Sequence, residues 1–334
     1  MKHPFNLQKS GRVELNNLYN NSNIYLYPYA RYAFLELLKV LDIKSIYLPS
    51  FICRDMLAPI NILNLEYYFY EVDEKLQPII EDIKCDAILM VNYFGFAQKL
   101  EPFFEYKKRF ESLIIEDNAH GFLSKDSKGE QLGTRTDVGI LSIRKTLFLP
   151  NGGALLINNE TLKIVSFSSA EIGFSFEDVK YEKKLKLKKK IFHKYLGVFI
   201  LLLRRLIRYL KSGSILPLPD VKSEVELPSN SLLTPLLKEK IVNIDINDET
   251  NNRIKMYKQI SVWAKKFGIT PIYELDNFTI PYEFMFIDRG NAKEFENFLL
   301  KKGFFILPWP DLPDEILNKA PEFYKNIKVV PFLW

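Results

Sequence analysis

The sequence predicts an α/β fold in which a mostly parallel central sheet is followed by a small C-terminal α+β unit, and three observations carry that expectation. Through the first half, short runs rich in β-branched and aromatic residues alternate with amphipathic stretches, the pattern left by βαβ units. Those runs are almost continuously apolar, as strands buried on both faces must be. With 334 residues the chain also exceeds the roughly 250 at which a single core stops growing, so two unequal domains are expected.

In chain order, Ala33, Phe34, Leu37, Leu38 and Leu41 fall on one side of a helix over 31–40, and a less regular helix follows over 103–110. Strands are expected at 45–48, 65–72, 87–93, 112–116, 139–143 and 154–157. Pro217 and Pro219, with Ser212, Gly213 and Ser214 just before them, interrupt the pattern, and an Asn-rich helix or loop spans 243–252. From Phe278 the order becomes strand 278–287, helix 292–302 and strand 304–307. The division expected is a large α/β domain over 1–225 and, over 226–334, a linking helix with the small α+β domain.

Hydrophobic residues at 47% and charged residues at 26% lie in the ordinary globular range, which excludes a disordered or collagen-like chain. Cys53 and Cys85 cannot build a disulfide framework. No charged segment followed by an apolar run and a small-residue cleavage site opens the sequence, so a reducing cytoplasm is the expected location. The net charge of +5 is local: residues 183–211 hold eleven Lys and Arg and no Asp or Glu. The 46 basic residues less these 11 leave 35 against 41 acidic, a mildly acidic body that argues against nucleic-acid binding. Within the basic segment the apolar run 195–203 is far shorter than the ~20 residues a bilayer span needs. Three uses stay open for it: a helix lying on the anionic inner face of the membrane, a helix buried in a dimer, or a clamp for a diphosphate-bearing substrate. Charge runs most often form only solvated surface.

The chemistry concentrates at two strand ends. The strand 112–116 runs into Glu116, Asp117, Asn118, Ala119, His120 and Gly121, placing acids and an imidazole at the carboxyl end of a parallel strand, where open α/β sheets bind ligands. The strand 139–143 runs into Arg144 and Lys145. Asn151, Gly152 and Gly153 follow, a glycine pair that either turns the backbone tightly over a ligand or simply closes a hairpin. Pyridoxal 5'-phosphate (PLP) needs a lysine amine to hold it, a carboxylate to keep its pyridine nitrogen protonated, and a neutralised phosphate. Lys145 and Asp117 suit the first two needs. The amides of Ala30, Arg31 and Tyr32 at a helix start, with the Arg31 guanidinium, suit the third. Singly, each residue has a plainer use: an Asp at a strand end turns or caps, a Lys beyond a strand is solvated, and a His closes a loop. Their joint order is what points to PLP.

That order resembles the DegT/DnrJ/StrS family of PLP-dependent aminotransferases, and the resemblance spans most of the chain. Tyr47, Leu48, Pro49, Ser50 and Phe51 are similar to the family's strand-proline turn, and Val91, Asn92, Tyr93, Phe94 and Gly95 to its next strand end. Glu116 to His120 resembles its acid motif. Gly133 to Asp137 and Gly139 to Ser142, with Lys145 seven residues before Gly152, resemble its lysine motif. Arg253 and Tyr257 fall where its linking helix carries Arg and Tyr, and Trp309 with Pro310 resembles its C-terminal Trp-Pro.

The resemblance implies the aspartate aminotransferase fold, a homodimer, and transfer of an amino group from an amino-acid donor such as glutamate to a keto-sugar carried on a nucleotide, in surface polysaccharide or amino-sugar biosynthesis. It further implies that Asp117 pairs with the pyridine nitrogen, His120 lies against the ring near its 3-hydroxyl, Ser142 binds phosphate, and Lys145 is the Schiff-base and proton-shuttling lysine. No metal is implied. Lys145 also sets the chain apart from the family's dehydratases, which carry histidine there. Three positions depart from the family's pattern: Ser142 stands three residues before Lys145 rather than five, Cys53 occupies a position where many members stack an aromatic on the cofactor, and the sequence stops at Val329 to Trp334 where members run on through a Pro-x-His-Gln-like stretch. These departures imply altered specificity or, alternatively, a non-catalytic or regulatory PLP-fold protein attached to the membrane through 183–211.

Overall fold

The computed structural model describes residues 12–147, 149–176, 178–181, 183, 194–215 and 219–332. A short antiparallel pair, β1 (Arg12–Val13) with β10 (Ile244–Asp245), lies beside the main sheet. That sheet has eight strands: β2 (Asn23–Tyr27), β3 (Ser45–Pro49), β4 (Glu66–Val72), β5 (Pro78–Ile79), β6 (Ala87–Val91), β7 (Leu113–Asn118), β8 (Val138–Leu141) and β9 (Gly153–Ile157). Their spatial order is β2-β9-β8-β7-β6-β3-β4-β5. Strands β8, β7, β6, β3 and β4 are parallel. β9 runs antiparallel to both β8 and β2, so the carboxyl end of β2 lies with those of the parallel strands.

Composition explains the layers. β6 (AILMV) and β9 (GALLI) are buried at every position, which only a sheet covered on both faces allows. α1 (Leu15–Leu18) is a single turn, and α2 (Ala30–Val40) turns Ala33, Phe34, Leu37 and Leu38 onto the sheet. α3 (Ala58–Leu63) follows β3, and α4 (Glu101–Phe110) buries Phe103 and Tyr106. The chain order reverses between β3 and β6, the topological switch at which such sheets open a ligand crevice.

Several expected boundaries move. The strand expected over 139–143 ends at Leu141, because Ile143 already opens α5 (Ile143–Leu147), and Lys145 therefore stands on a helical turn rather than in a loop. The Lys145 amide donates to the Ser142 carbonyl at 3.0 Å, so the three-residue Ser–Lys spacing is one turn of helix. β2 was not expected at all; it is held by its five-residue register with β9.

α6 (Lys194–Ser212) carries the described part of the basic segment apart from Lys183, while Lys184, Lys186, Lys188, Lys189 and Lys190 lie outside the described residues. After α7 (Pro235–Ile241), the Asn-rich stretch opens α8 (Ile246–Lys265), in which Arg253 and Tyr257 are buried. The strand expected over 278–287 forms only as β11 (Glu283–Ile287): the Asp276 carboxylate takes the Phe278 and Thr279 amides in a local turn that competes with sheet pairing. The strand expected over 304–307 is reduced to β12 (Leu307–Pro308), since the Phe304 amide instead closes α9 (Ala292–Leu300) by bonding the Leu299 carbonyl. β13 (Ile327–Pro331) completes an antiparallel three-stranded sheet, β11-β13-β12. Its unit packs against the main sheet where Phe51, beyond β3, meets Tyr324 and Trp309 edge-on. Among the described residues no helix is long and apolar enough to cross a membrane.

Candidate active site

Five strand ends meet in one cleft that encloses about 90 Å³ of space open to water. β2 delivers Ala30 and Arg31, β3 delivers Cys53, β7 delivers Asp117 and His120, and β8 delivers Ser142, Arg144 and Lys145; Asn92 follows β6, and Trp309 comes from the small unit. The chain order places these residues far apart, and the common polarity of the strands brings them together.

The lysine is fixed from several sides. Its Nζ lies 3.0 Å from His120 Nε2 and 5.9 Å from the centre of the Tyr282 ring. Tyr282 stacks on His120 at 4.5 Å with 3° between planes, and Phe94 and Trp309 approach the imidazole at 5.8 and 5.6 Å. Burial, then the neighbouring Lys145, hold the His120 imidazole well below its ordinary pKa, so the ring is neutral, with its Nε2 in hydrogen-bond reach of the Lys145 amine. Arg253 of α8 donates to the carbonyls of Lys145 and Thr146 at 3.3 and 3.4 Å, satisfying acceptors that the end of α5 would otherwise leave open.

Asp117 is the last residue but one of β7 and is buried, with Oδ1 accepting from the Ala119 amide at 2.9 Å. Burial holds its carboxyl above the usual carboxylate range, against the pull of that amide and of Lys145. Glu116, beside it, has a different task. It lies behind the cleft and accepts from Arg135 Nη2 at 2.6 Å and Asn92 Nδ2 at 2.7 Å, a fully enclosed ion pair that ties the lysine motif to the acid motif.

At the other end of the cleft, the Ala30 and Arg31 amides at the start of α2 have no hydrogen-bond partner among the described residues, as expected of a helix N-terminus able to hold an anion. Tyr32 does not share that role: its amide bonds the Tyr29 carbonyl at 3.0 Å, and its hydroxyl donates to the Pro228 carbonyl. The Arg31 guanidinium leans toward Asp55 at 3.5 Å. Arg144, not foreseen as a ligand, lies over the Tyr29 ring at 5.2 Å with its buried Nε lacking a hydrogen-bond partner. The sequence does carry a signal for it, a guanidinium one residue before the lysine on the same helical turn. No such signal exists for Tyr282, whose stacking depends on tertiary docking.

Gly153 sets the closeness of these groups. A Cβ there would fall 2.6 Å from the Ala30 amide nitrogen, so only glycine lets β9 pass beneath the start of α2. Cys53 lines the cleft, but burial pushes its thiol up and leaves it protonated, unsuited to act as a nucleophile. Cys53 and Asp55 also line a second cavity, together with Arg31, Lys222, Asp220, Glu226 and Asp311. Among the described residues no cluster of His, Cys, Asp or Glu could hold a metal ion.

The sequence model of the DegT/DnrJ/EryC1/StrS aminotransferase family matches residues 66–193. Similar solved structures include a DegT/DnrJ/EryC1/StrS aminotransferase from Brucella abortus (14% identity, 95% of this chain and 82% of that one, TM-score 0.61). Another is Helicobacter pylori PseC, an aminotransferase involved in the biosynthesis of pseudoaminic acid (14% identity, 95% and 83%, TM-score 0.59). A third is GDP-4-keto-6-deoxymannose-3-dehydratase, ColD, with bound GDP-perosamine (14% identity, 95% and 85%, TM-score 0.58). The fold of the chain is thus that of these enzymes. No curated protein sequence matches the chain.

Proposed function

We propose, from the match of residues 66–193 to the model of the DegT/DnrJ/EryC1/StrS aminotransferase family, a PLP-dependent aminotransferase that places an amino group from an amino-acid donor onto a nucleotide-linked keto-sugar. The observation that carries this reading is the juxtaposition of Lys145, His120 and Asp117 in one cleft at the carboxyl ends of β7 and β8. The donor set fits the cofactor: an amine, a buried carboxylate, two helix-start amides, the Ser142 hydroxyl, and a buried Arg144 Nε without a partner.

When bound, PLP supplies an electron sink for the bond that is broken at the substrate carbon. Asp117 suits the pyridine nitrogen, because a cation there would offset the burial that now favours its neutral form. Ala30, Arg31, Ser142 and Arg144 are assigned to the phosphate. Lys145 holds the cofactor and, once released, moves a proton at the substrate carbon, while His120, pinned by Tyr282, keeps its amine in line. Lysine at this position favours transamination over the dehydration named for ColD.

A sugar substrate is supported by the sugar compounds named for PseC and ColD. We further assign a cytoplasmic homodimer whose interface takes in the exposed Ile172, Phe174 and Phe176. The test is spectroscopic. Protein mixed with PLP should absorb near ~420 nm, and borohydride should fix the cofactor on the peptide holding Lys145. Lys145→Ala should abolish both, and an unchanged band in that variant would overturn the assignment.

A further inference from the structure

We propose that α6 docks the protein on an anionic lipid surface. Its 19 residues form an amphipathic helix mounted the wrong way round for a soluble protein. At 3.6 residues per turn, Phe199, Leu203, Leu206 and Leu210 fall within an arc of about 60°, and Leu202, Ile207 and Tyr209 widen it to about 160°. This apolar arc faces solvent, its four central residues each between 44% and 74% exposed. The helix is attached from other sides. Val198 is buried, and Arg205 donates to Glu296 Oε1 at 2.9 Å and to the Ile306 carbonyl at 3.1 Å. Arg204, Arg208 and Lys211 complete the polar side.

Charge selects the occupant. Residues 183–211 supply eleven cations and no acid, and of Arg204, Arg205, Arg208 and Lys211 only Arg205 has an acidic partner among the described residues. A two-fold contact between copies of α6 would set these cations against themselves, because in such an interface each patch meets its own equivalent. An anionic membrane meets both needs: it takes the apolar arc into the headgroup boundary and gives the flanking cations lipid phosphates. Tyr209, at the edge of the arc, has the apolar body and polar tip suited to that boundary.

The full-length protein should co-sediment at low salt with phosphatidylcholine vesicles containing phosphatidylserine, and not with phosphatidylcholine alone. Raising the salt should release it, since exposed charges are screened beyond ~8 Å at physiological ionic strength. Leu206→Ser with Leu210→Ser and, separately, Arg204→Gln with Lys211→Gln should each weaken partitioning by roughly tenfold or more while leaving the circular dichroism spectrum unchanged. Absence of binding to the anionic vesicles at low salt, or equal binding to neutral ones, would overturn the proposal. So would a fall in oligomer mass caused by the Leu206→Ser and Leu210→Ser pair, which would mark the arc as an interface between copies.

Discussion

Glu283→Gln offers a quantitative probe of the electrostatics behind Lys145. Glu283 opens β11, is buried, and has an Oε2 without a hydrogen-bond partner. Burial raises its carboxyl from 4.5 to about 7, even though Lys145 and Arg253 pull the other way. The folded state therefore binds this proton more tightly than the unfolded chain does. Its contribution is fully present below pH 4.5 and is lost as pH rises through about 7. At 1.36 kcal/mol per pKa unit the whole swing is about 3 kcal/mol, which for a chain of this length is about 4 °C in melting temperature. Glutamine keeps the shape and removes the charge. Thermal unfolding of wild type and variant without cofactor should show a gap under about 1 kcal/mol at pH 5, widening to about 3 kcal/mol in favour of Glu283→Gln at pH 8.5. Parallel curves across that range would show that Glu283 ionises like a surface carboxylate and would refute the reasoning.

Two further outcomes follow from the geometry. Arg135→Met leaves Glu116 enclosed without its cation and should cost about 3–5 kcal/mol in urea unfolding; a loss below about 1 kcal/mol would mean that water reaches the pair. Arg144→Gln should weaken PLP binding by roughly 10- to 100-fold in a spectrophotometric titration, the value of one charge-assisted bond, and unchanged affinity would remove Arg144 from the phosphate.

What could be read from the sequence was mostly what repeats locally. The inner strands announce themselves because burial on both faces leaves only apolar runs, and α2 because its apolar residues recur on one side. β2 and β13 gave no such signal, since an edge strand and a short antiparallel partner owe their conformation to the neighbours they pair with. The reading of 139–143 as strand failed at Ser142 because nothing in an apolar run marks where a strand gives way to a turn of helix. At the cleft, Asp117, His120, Ser142 and Lys145 were visible as ordered motifs. The Tyr282 stack and the partnerless Arg144 Nε arise only when distant segments are docked, and the occupation of the Tyr32 amide by Tyr29 is a matter of backbone geometry.

Trp309 gives the cleft an optical consequence. Its ring sits 4.7 Å from Phe94 and 5.6 Å from His120, on a strand connection that belongs to the small unit. Indole emission overlaps the ~420 nm absorption of lysine-bound PLP, so energy transfer quenches a fluorophore in the cleft wall. The other described tryptophan, Trp263, packs among Phe298 and Phe304 in the small unit, away from the lining. The intensity of Trp309 therefore reports cofactor loading, and its emission wavelength reports how closely the small unit is seated over the sheet, both without an added label.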